Sequence, residues 1–255
     1  MAVLSALPGA ARVLAVHAGL LPQPDQLCGP FAAHAALHAV LDEVPSLATL
    51  ALAAGTRVWA ADEPAWRPVG ATLDRRCWDV LPAAVTPEDS GTDAGPLARA
   101  LPGACDVAVL AVASRDAPDE GAWGRLLAGL VDAGRPVGVV ANLRTGPLGE
   151  GRGAAGETAD GGSDPLAGWD VGHFVVLVSY DPATGEVGVA DSYPEAGAAG
   201  WPPGCRGVPG AALARALAAG PGRGLLLLLR PGDAAEVAAL VAEVGLTSTR
   251  DDAPW

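Results

Sequence analysis

The sequence contains no lysine, so all sixteen of its basic residues are arginine. Aromatic residues make up only 4% of the chain, whereas alanine, glycine and proline are abundant. This bias is typical of GC-rich coding and indicates a bacterial source more than it indicates a function. With 29 acidic residues, the formal net charge is −13. An acidic surface repels phosphate backbones and anionic lipids, so we expect no nucleic-acid partner.

Long apolar runs are also absent. No run approaches the ~20 residues that a membrane-spanning helix needs. The segment Gly224–Leu229 is too short and lies between Arg223 and Arg230. The N-terminal segment has no basic region ahead of its apolar stretch, which Arg12 interrupts, so it lacks the pattern of a signal peptide. We therefore expect no membrane insertion and a cytoplasmic protein.

Cysteine is scarce, and no Cys-x-x-Cys pair occurs. The four cysteines are Cys28, Cys77, Cys105 and Cys205. Without an export signal we expect reduced thiols, and a zinc or redox site built on paired cysteines is disfavoured. His34, His38 and Asp42 have a helical metal-ligand spacing, but no glutamate follows His34 as in zinc proteases. A polar helix face is the better interpretation, and we expect no metal and no cofactor.

The order of predicted elements indicates the fold class. Residues 27–42 are predicted as a helix with Pro30 in its first turn, where a missing N–H is tolerated. Apolar or alternating runs predict strands at 106–112, 136–143, 173–180, 186–191 and 224–230. Helices followed by an antiparallel sheet predict an α+β fold.

We expect one domain over residues 1–245 and a loose tail at 246–255. Within the domain, residues 1–135 are predicted as a helical lobe and residues 136–245 as a sheet lobe. Residues 146–168 are rich in glycine, aspartate and alanine and are predicted as a long loop. Long loops inside a domain are often functional or disordered, so this loop is either a lid or a disordered segment.

One cysteine stands where a loop turns into a helix. The segment 26–31 reads Gln-Leu-Cys-Gly-Pro-Phe and places Cys28 at the first turn of the predicted helix. Free cysteine has a pKa of about 8.5, so only a small fraction is thiolate at neutral pH. The partial positive charge at a helix N-terminus stabilises a thiolate, and a nearby imidazolium does so more strongly. Cys28 is therefore the candidate nucleophile.

A histidine and an acid occur where they can serve that nucleophile. His173 opens an apolar strand, and Asp191 ends the next strand of a predicted hairpin. A thiol enzyme needs a base to form the thiolate and a third group to orient the base. The oxyanion of the reaction would be bound by the backbone N–H of Cys28 and by a side-chain donor upstream, either Gln23 or Gln26.

These segments resemble the papain-like cysteine peptidases, which have the same chain order of cysteine, histidine and acid. The similarity lies in Gln-x-Cys-Gly-Pro at 26–30, Gly-His-Phe-Val-Val-Leu-Val-x-Tyr-Asp at 172–181 and Val-x-Val-Ala-Asp-Ser-Tyr-Pro at 187–194. It is greatest to the double-glycine, bacteriocin-processing branch and its stand-alone relatives. It covers the helix around Cys28 and most of residues 136–230.

The resemblance implies a papain-like fold in which Cys28 is the nucleophile, His173 the base and Asp191 the orienting group. It also implies a peptide or protein substrate. In that family the oxyanion glutamine usually lies six residues before the cysteine, whereas Gln23 lies five before Cys28 and Gln26 two before.

Two classes of function remain open. The first is a cysteine peptidase or a related acyl transfer on the same scaffold, such as deamidation or transpeptidation. The second is a catalytically inactive papain-like module that binds a peptide or protein. The intact set of Cys28, His173 and Asp191 favours catalysis, and the displaced glutamine favours the binding module.

Overall fold

The computed structural model describes residues 5–113, 120–149 and 164–250, and one antiparallel sheet of eight strands organises these residues. The strands are β1 (Ser5–Ala6), β2 (Ala108–Ala113), β3 (Gly138–Arg144), β4 (Gly172–Asp181), β5 (Glu186–Ala190), β6 (Cys205–Pro209), β7 (Gly224–Leu229) and β8 (Thr247–Arg250). Their order is β6-β5-β4-β3-β7-β2-β8, and β1 pairs with β4 beside this path.

Helices surround the sheet. They are α1 (Ala10–Leu20), α2 (Cys28–Leu37), α3 (Leu47–Ala53), α4 (Ala94–Ala104), α5 (Glu120–Ala133), α6 (Gly146–Gly149), α7 (Gly210–Ala218) and α8 (Ala234–Glu243). The predicted α+β class is confirmed. Among the described residues, no helix combines the length and the apolar character needed to cross a membrane.

The sheet draws on both halves of the chain. The strand predicted at 106–112 is β2, and it lies in the sheet between β7 and β8. The predicted boundary at residue 135 therefore does not separate a helical part from a sheet part. The prediction of a loose tail from residue 246 is wrong for Thr247–Arg250, because β8 pairs with β2 through Ala111 and Thr249. Residues 251–255 lie outside the described residues.

Two further predicted segments differ in extent. The helix predicted over 27–42 is α2, and it ends at Leu37. After Leu37 the backbone N–H groups bond to carbonyls three residues back, as in the bond of 3.0 Å from the N–H of Ala39 to the carbonyl of Ala36, which is the pattern of a 3₁₀ turn. The loop predicted over 146–168 begins with the short helix α6. Its central part, 150–163, lies outside the described residues, and so does the lid interpretation placed on it.

Helix α2 lies directly on the sheet and so positions Cys28. The small residues Ala32 and Ala35 of this helix and Ala39 just after it are 1%, 0% and 2% exposed. The approach is closest at Gly138 of β3, where an added Cβ would lie 2.4 Å from the carbonyl oxygen of Ala36. Only glycine fits there without displacing the helix.

We expect Gly138→Ala to destabilise the protein by about 1–3 kcal/mol, because overpacking a tight core site forces backbone shifts. The free energy of unfolding in urea measures this loss. The matched control is Gly19→Ala in α1, where a Cβ meets nothing within 4 Å and the change should be neutral or slightly stabilising. Equal stability of both variants would contradict the close contact between α2 and β3.

Candidate active site

The three residues predicted to act together come from three different elements. Cys28 is the first residue of α2, His173 is the second residue of β4, and Asp191 directly follows β5. The pairing of β4 with β5 places the end of β5 beside the start of β4, as in the partners Val176 and Ala190. Cys28 and His173 line a cleft of about 520 Å³ that also contains Gln23, Arg67, Tyr193 and Arg223.

The carboxylate of Asp191 fixes the orientation of His173. Its Oδ1 lies 3.0 Å from His173 Nε2 and also accepts a hydrogen bond of 3.2 Å from the backbone N–H of Tyr193. Since a carboxylate only accepts, Nε2 carries the proton of this bond. The other ring nitrogen, Nδ1, is not engaged by Asp191, and Cys28 lies close enough to His173 for each group to shift the pKa of the other. The structure thus brings thiol, imidazole and carboxylate together beside the cleft.

The charges of Asp191, His173 and Cys28 favour an ion pair between the thiol of Cys28 and the imidazole of His173. Burial alone lowers the pKa of His173, but the charge and hydrogen bond of Asp191, together with Cys28, raise it to about 10. Burial alone raises the pKa of Cys28, but the hydrogen bond and charge of His173 and the N–H groups of Phe174 and Gly29 bring that pKa below its ordinary value. A lowered thiol pKa beside a raised imidazole pKa is the condition for a thiolate at neutral pH.

The start of α2 adds to this stabilisation. Leu27, at the N-cap position, makes no side-chain hydrogen bond to the first turn. Pro30 has no N–H to satisfy, as predicted for a first-turn proline. The N–H of Gly29 at the helix start helps to lower the pKa of Cys28, and the helix dipole acts in the same direction.

Two aromatic rings pack against His173. The ring centroid of Trp169 lies 5.0 Å from that of His173 in an edge-on arrangement, and the ring of Tyr193 stacks on His173 at 6.0 Å. The rings of Trp169 and Tyr193 also contact each other, with their centroids 5.8 Å apart. Both aromatic side chains are buried. They keep water from the hydrogen bond between His173 and Asp191, which strengthens it because the local dielectric is low.

A buried arginine holds the far side of Asp191. Arg206 of β6 places its guanidinium 3.4 Å from Asp191 Oδ2, and the two side chains are 1% and 0% exposed. Burial raises the pKa of Asp191, but the charges of His173 and Arg206 outweigh burial and lower it. Asp191 is therefore an anion shared by two cationic groups.

The two candidate glutamines have different environments. Gln23 is 2% exposed, its Oε1 accepts a hydrogen bond from Ser192 Oγ, and its Nε2 donates to Tyr193 Oη at 3.1 Å. No described residue accepts a hydrogen bond from the second N–H of that amide, and Gln23 lines the cleft. Gln26 instead binds the backbone of Trp59 with both amide atoms, at 3.0 and 2.7 Å. The geometry favours Gln23 as the oxyanion donor and gives Gln26 a structural role in the loop around Trp59.

The other candidates from the sequence lie elsewhere. His34 bonds to the carbonyl of Pro45 through Nδ1, and Asp42 forms an ion pair with Arg12 at 2.9 Å. Across residues 5–113, 120–149 and 164–250, no group of three histidine, cysteine or acidic side chains is arranged to hold a metal ion. All four cysteines lie in these ranges and are free thiols.

Sequence interpretation missed Trp169, Tyr193 and Arg206. The strand pattern predicts Asp191, but nothing local in the sequence indicates that Tyr193 stacks on His173. Arg206 lies in β6, which was not predicted as a strand. A strand prediction there would have placed an arginine in a buried position next to β5, which is a signal that a carboxylate lies beside it.

Fold and site together define an α+β protein with a Cys–His–Asp constellation in a cleft. The chain belongs to a family of unknown function, DUF6885, whose model matches residues 7–252. No curated protein matches the chain.

Proposed function

We propose that the protein is a papain-like thiol hydrolase that acts on peptide or other amide bonds, in its simplest form a cysteine peptidase. The observation that carries this proposal is the position of Cys28 at the start of α2, in the same cleft as a His173 whose Nε2 is held by Asp191 at 3.0 Å. This arrangement supplies the nucleophile, base and orienting group of thiol acyl transfer. The substrate is a peptide or protein, and a reducing compartment such as the cytoplasm keeps the nucleophile reduced.

In the proposed reaction, the Cys28 thiolate attacks the carbonyl carbon of the scissile amide. The oxygen becomes an oxyanion that accepts hydrogen bonds from the Cys28 N–H and from the second N–H of Gln23. The C–N bond breaks as the His173 imidazolium gives its Nδ1 proton to the leaving amine. This step leaves a thioester on Cys28 and a neutral imidazole.

Hydrolysis of the thioester completes the cycle. His173 takes a proton from water, the hydroxide attacks the thioester carbonyl, and the carboxylic acid product leaves as the Cys28 thiolate reforms beside the imidazolium. If an amine enters in place of water, the same thioester gives transpeptidation. A side-chain amide as substrate gives deamidation.

The experiment that tests the proposal measures the alkylation of each cysteine by iodoacetamide as a function of pH, followed by peptide mapping. We expect Cys28 to react rapidly below pH 7, where burial keeps Cys105 and Cys205 protonated by raising their pKa values. If Cys28 reacts no faster than the other three cysteines, the thiolate is not formed. That result would favour the peptide-binding module without catalysis.

A second prediction concerns the oxyanion site. We expect Gln23→Met to reduce acylation of Cys28 by p-nitrophenyl acetate about 100-fold, because loss of one oxyanion donor costs that much. Alkylation by iodoacetamide forms no oxyanion, so its rate should change little. Gln26→Met is the matched control and should retain acylation. Equal effects of the two variants, or parallel loss of alkylation in Gln23→Met, would contradict the role of Gln23.

A further inference from the structure

Arg223 presents a positive charge to the cleft beside His173. It lies in the turn before β7 and is partly buried. Its guanidinium lies against Gly172, the residue before His173, with NH2 and NH1 at 2.6 and 3.1 Å from the position of an added Cβ. Any side chain at position 172 would occupy this space. Glycine at the start of β4 therefore admits the guanidinium to the wall of the cleft.

A neutral side chain holds Arg223 in place. NH1 donates to Asn142 Oδ1 at 2.6 Å, and Asn142 is buried in β3 with its Nδ2 donating to the carbonyl of Gly222. Asn142 thus links the turn before β7 to the sheet and fixes the direction of the guanidinium. Because an amide carries no charge, this contact orients the cation without neutralising it.

The other two arginines of the cleft are neutralised. Arg144 binds Asp170 in a fork, with Nε at 3.0 Å from Oδ1 and NH2 at 2.8 Å from Oδ2. Arg67 forms ion pairs with Asp25 at 3.1 Å and Asp62 at 2.7 Å. Each of these arginines already has a carboxylate partner.

Arg223 differs from them. Among the described residues it forms no ion pair with a carboxylate, and its buried Nε has no hydrogen-bond partner. Asp170 lies in the same cleft, but both of its oxygens are used by Arg144, and Oδ1 also accepts from the N–H of Gly146. Asp93 also lines the cleft without pairing with Arg223. Glu63 and Glu88 line the cleft as well, and no ion pair joins either of them to Arg223. Of the two terminal nitrogens of Arg223, only NH1 has a partner among the described residues, so NH2 is a donor left for an anion from outside the chain.

We propose that Arg223 binds a carboxylate of the substrate, so that the cleft selects peptides with a carboxylate close to the reacting bond. This inference rests on the proposed function for the reaction, but the anion site itself rests on the contacts of Arg223. The planar fork of a guanidinium matches a carboxylate with two parallel hydrogen bonds. The carboxylate belongs to the C-terminus of a peptide or to an aspartate or glutamate side chain.

The first test compares iodoacetate, which carries a carboxylate, with iodoacetamide, its neutral analogue, in alkylation of Cys28. We expect Arg223→Gln to lower the ratio of the two rate constants about tenfold, which is the low end for losing a charge-assisted hydrogen bond. Arg223→Lys retains the charge without the fork and should give an intermediate ratio. The matched control is Arg99→Gln, which removes the same charge from an exposed residue of the adjoining cavity and should leave the ratio unchanged.

The second test identifies the source of the carboxylate by protection of Cys28 from iodoacetamide. One pair of probes is acetyl-trialanine as the free acid and as the amide, and the other is acetyl-Ala-Glu-Ala-amide and acetyl-Ala-Gln-Ala-amide. Stronger protection by the free acid indicates a C-terminal carboxylate, and stronger protection by the glutamate peptide indicates a side chain. In either case Arg223→Gln should abolish the preference.

The two proposals fail in different ways. Slow alkylation of wild-type Cys28 by iodoacetamide below pH 7 contradicts the proposed function, but the rate ratio can still be measured near pH 9.5, where an ordinary thiol is ionised. If Arg223→Gln changes neither the ratio nor the preference among the peptides, Arg223 is not a carboxylate site. That result would hold whatever the reactivity of Cys28.

Discussion

The variant His173→Gln is expected to lose the rapid alkylation of Cys28 below pH 7 and to acylate about 1,000-fold more slowly with p-nitrophenyl acetate. The 1,000-fold loss in acylation rate follows because His173 both forms the thiolate and transfers the proton, and positioned acid–base groups contribute about 10²–10⁴ in rate. Alkylation at pH 6 and acylation at pH 7 measure the two effects separately.

The loss in the alkylation rate of Cys28 in His173→Gln has a physical limit. An ordinary thiol with a pKa of about 8.5 is only about 0.3% thiolate at pH 6. Without His173, burial would raise the pKa of Cys28, so its thiolate fraction falls further. A thiolate of lowered pKa is also a weaker nucleophile, which offsets part of the gain. The net loss in alkylation rate at pH 6 should therefore be about tenfold to a hundredfold.

The control for this experiment is His38→Gln, which makes the same change outside the cleft, just after the end of α2. It should alkylate and acylate like the wild type. Were His173→Gln to retain rapid labelling at pH 6, the helix start and the backbone N–H groups alone would stabilise the thiolate. The proposed ion pair with His173 would then be wrong.

The parts of the site that sequence could predict are those with a local signature. Cys28 stands between a turn and an alanine-rich helix, and His173 opens an apolar strand. Asp191 closes the next strand of a hairpin with an obvious turn. Each position follows from neighbours along the chain, and the pairing of β4 with β5 then brings His173 and Asp191 together. The α+β class follows from the same elements.

The parts that sequence could not predict depend on contacts between distant segments. Arg223 lies on Gly172 only because β3 lies between β4 and β7, so that Asn142 reaches the turn before β7. Strand β8 reads Thr-Ser-Thr-Arg and has no apolar alternation, so its pairing with β2 has no local signal. Short strands of this kind are stabilised by the partner they find more than by their own composition.

Replacing Asp191 with asparagine is expected to lower the free energy of unfolding by about 3–5 kcal/mol, the usual cost of breaking a buried ion pair. The change keeps the shape of the side chain, so it leaves no cavity. It removes the carboxylate that lies between His173 and Arg206, and both of those side chains are almost completely buried. For a chain of this length, the melting temperature should fall by about 10 °C.

The pH dependence of the stability lost in Asp191→Asn shows whether the charge of Asp191 or its shape stabilises the fold. The pKa of Asp191 is lowered in the folded protein, so its contribution is present above the ordinary aspartate pKa of about 3.9 and is lost as the pH falls below that value. The pKa of His173 is raised to about 10, so its contribution is complete below about 6.5 and is lost as the pH rises toward 10. The stability difference between wild type and Asp191→Asn should thus be largest between about pH 4 and 6.5.

A second substitution tests whether Arg206 is present to balance Asp191. In Asp191→Asn with Arg206→Met, the carboxylate and one of its two cationic partners are removed together, and we expect at least half of the lost stability to return. A double-mutant cycle with the two single variants gives the coupling energy. Additive losses would show that Arg206 stabilises β6 through other contacts, such as its bond to the carbonyl of Ala196 at 2.6 Å. The double variant also tests the thiol, through its alkylation at pH 6. If stability returns but rapid alkylation of Cys28 does not, the reactivity of the thiol depends on the charge of Asp191, because an asparagine amide orients His173 without raising its pKa.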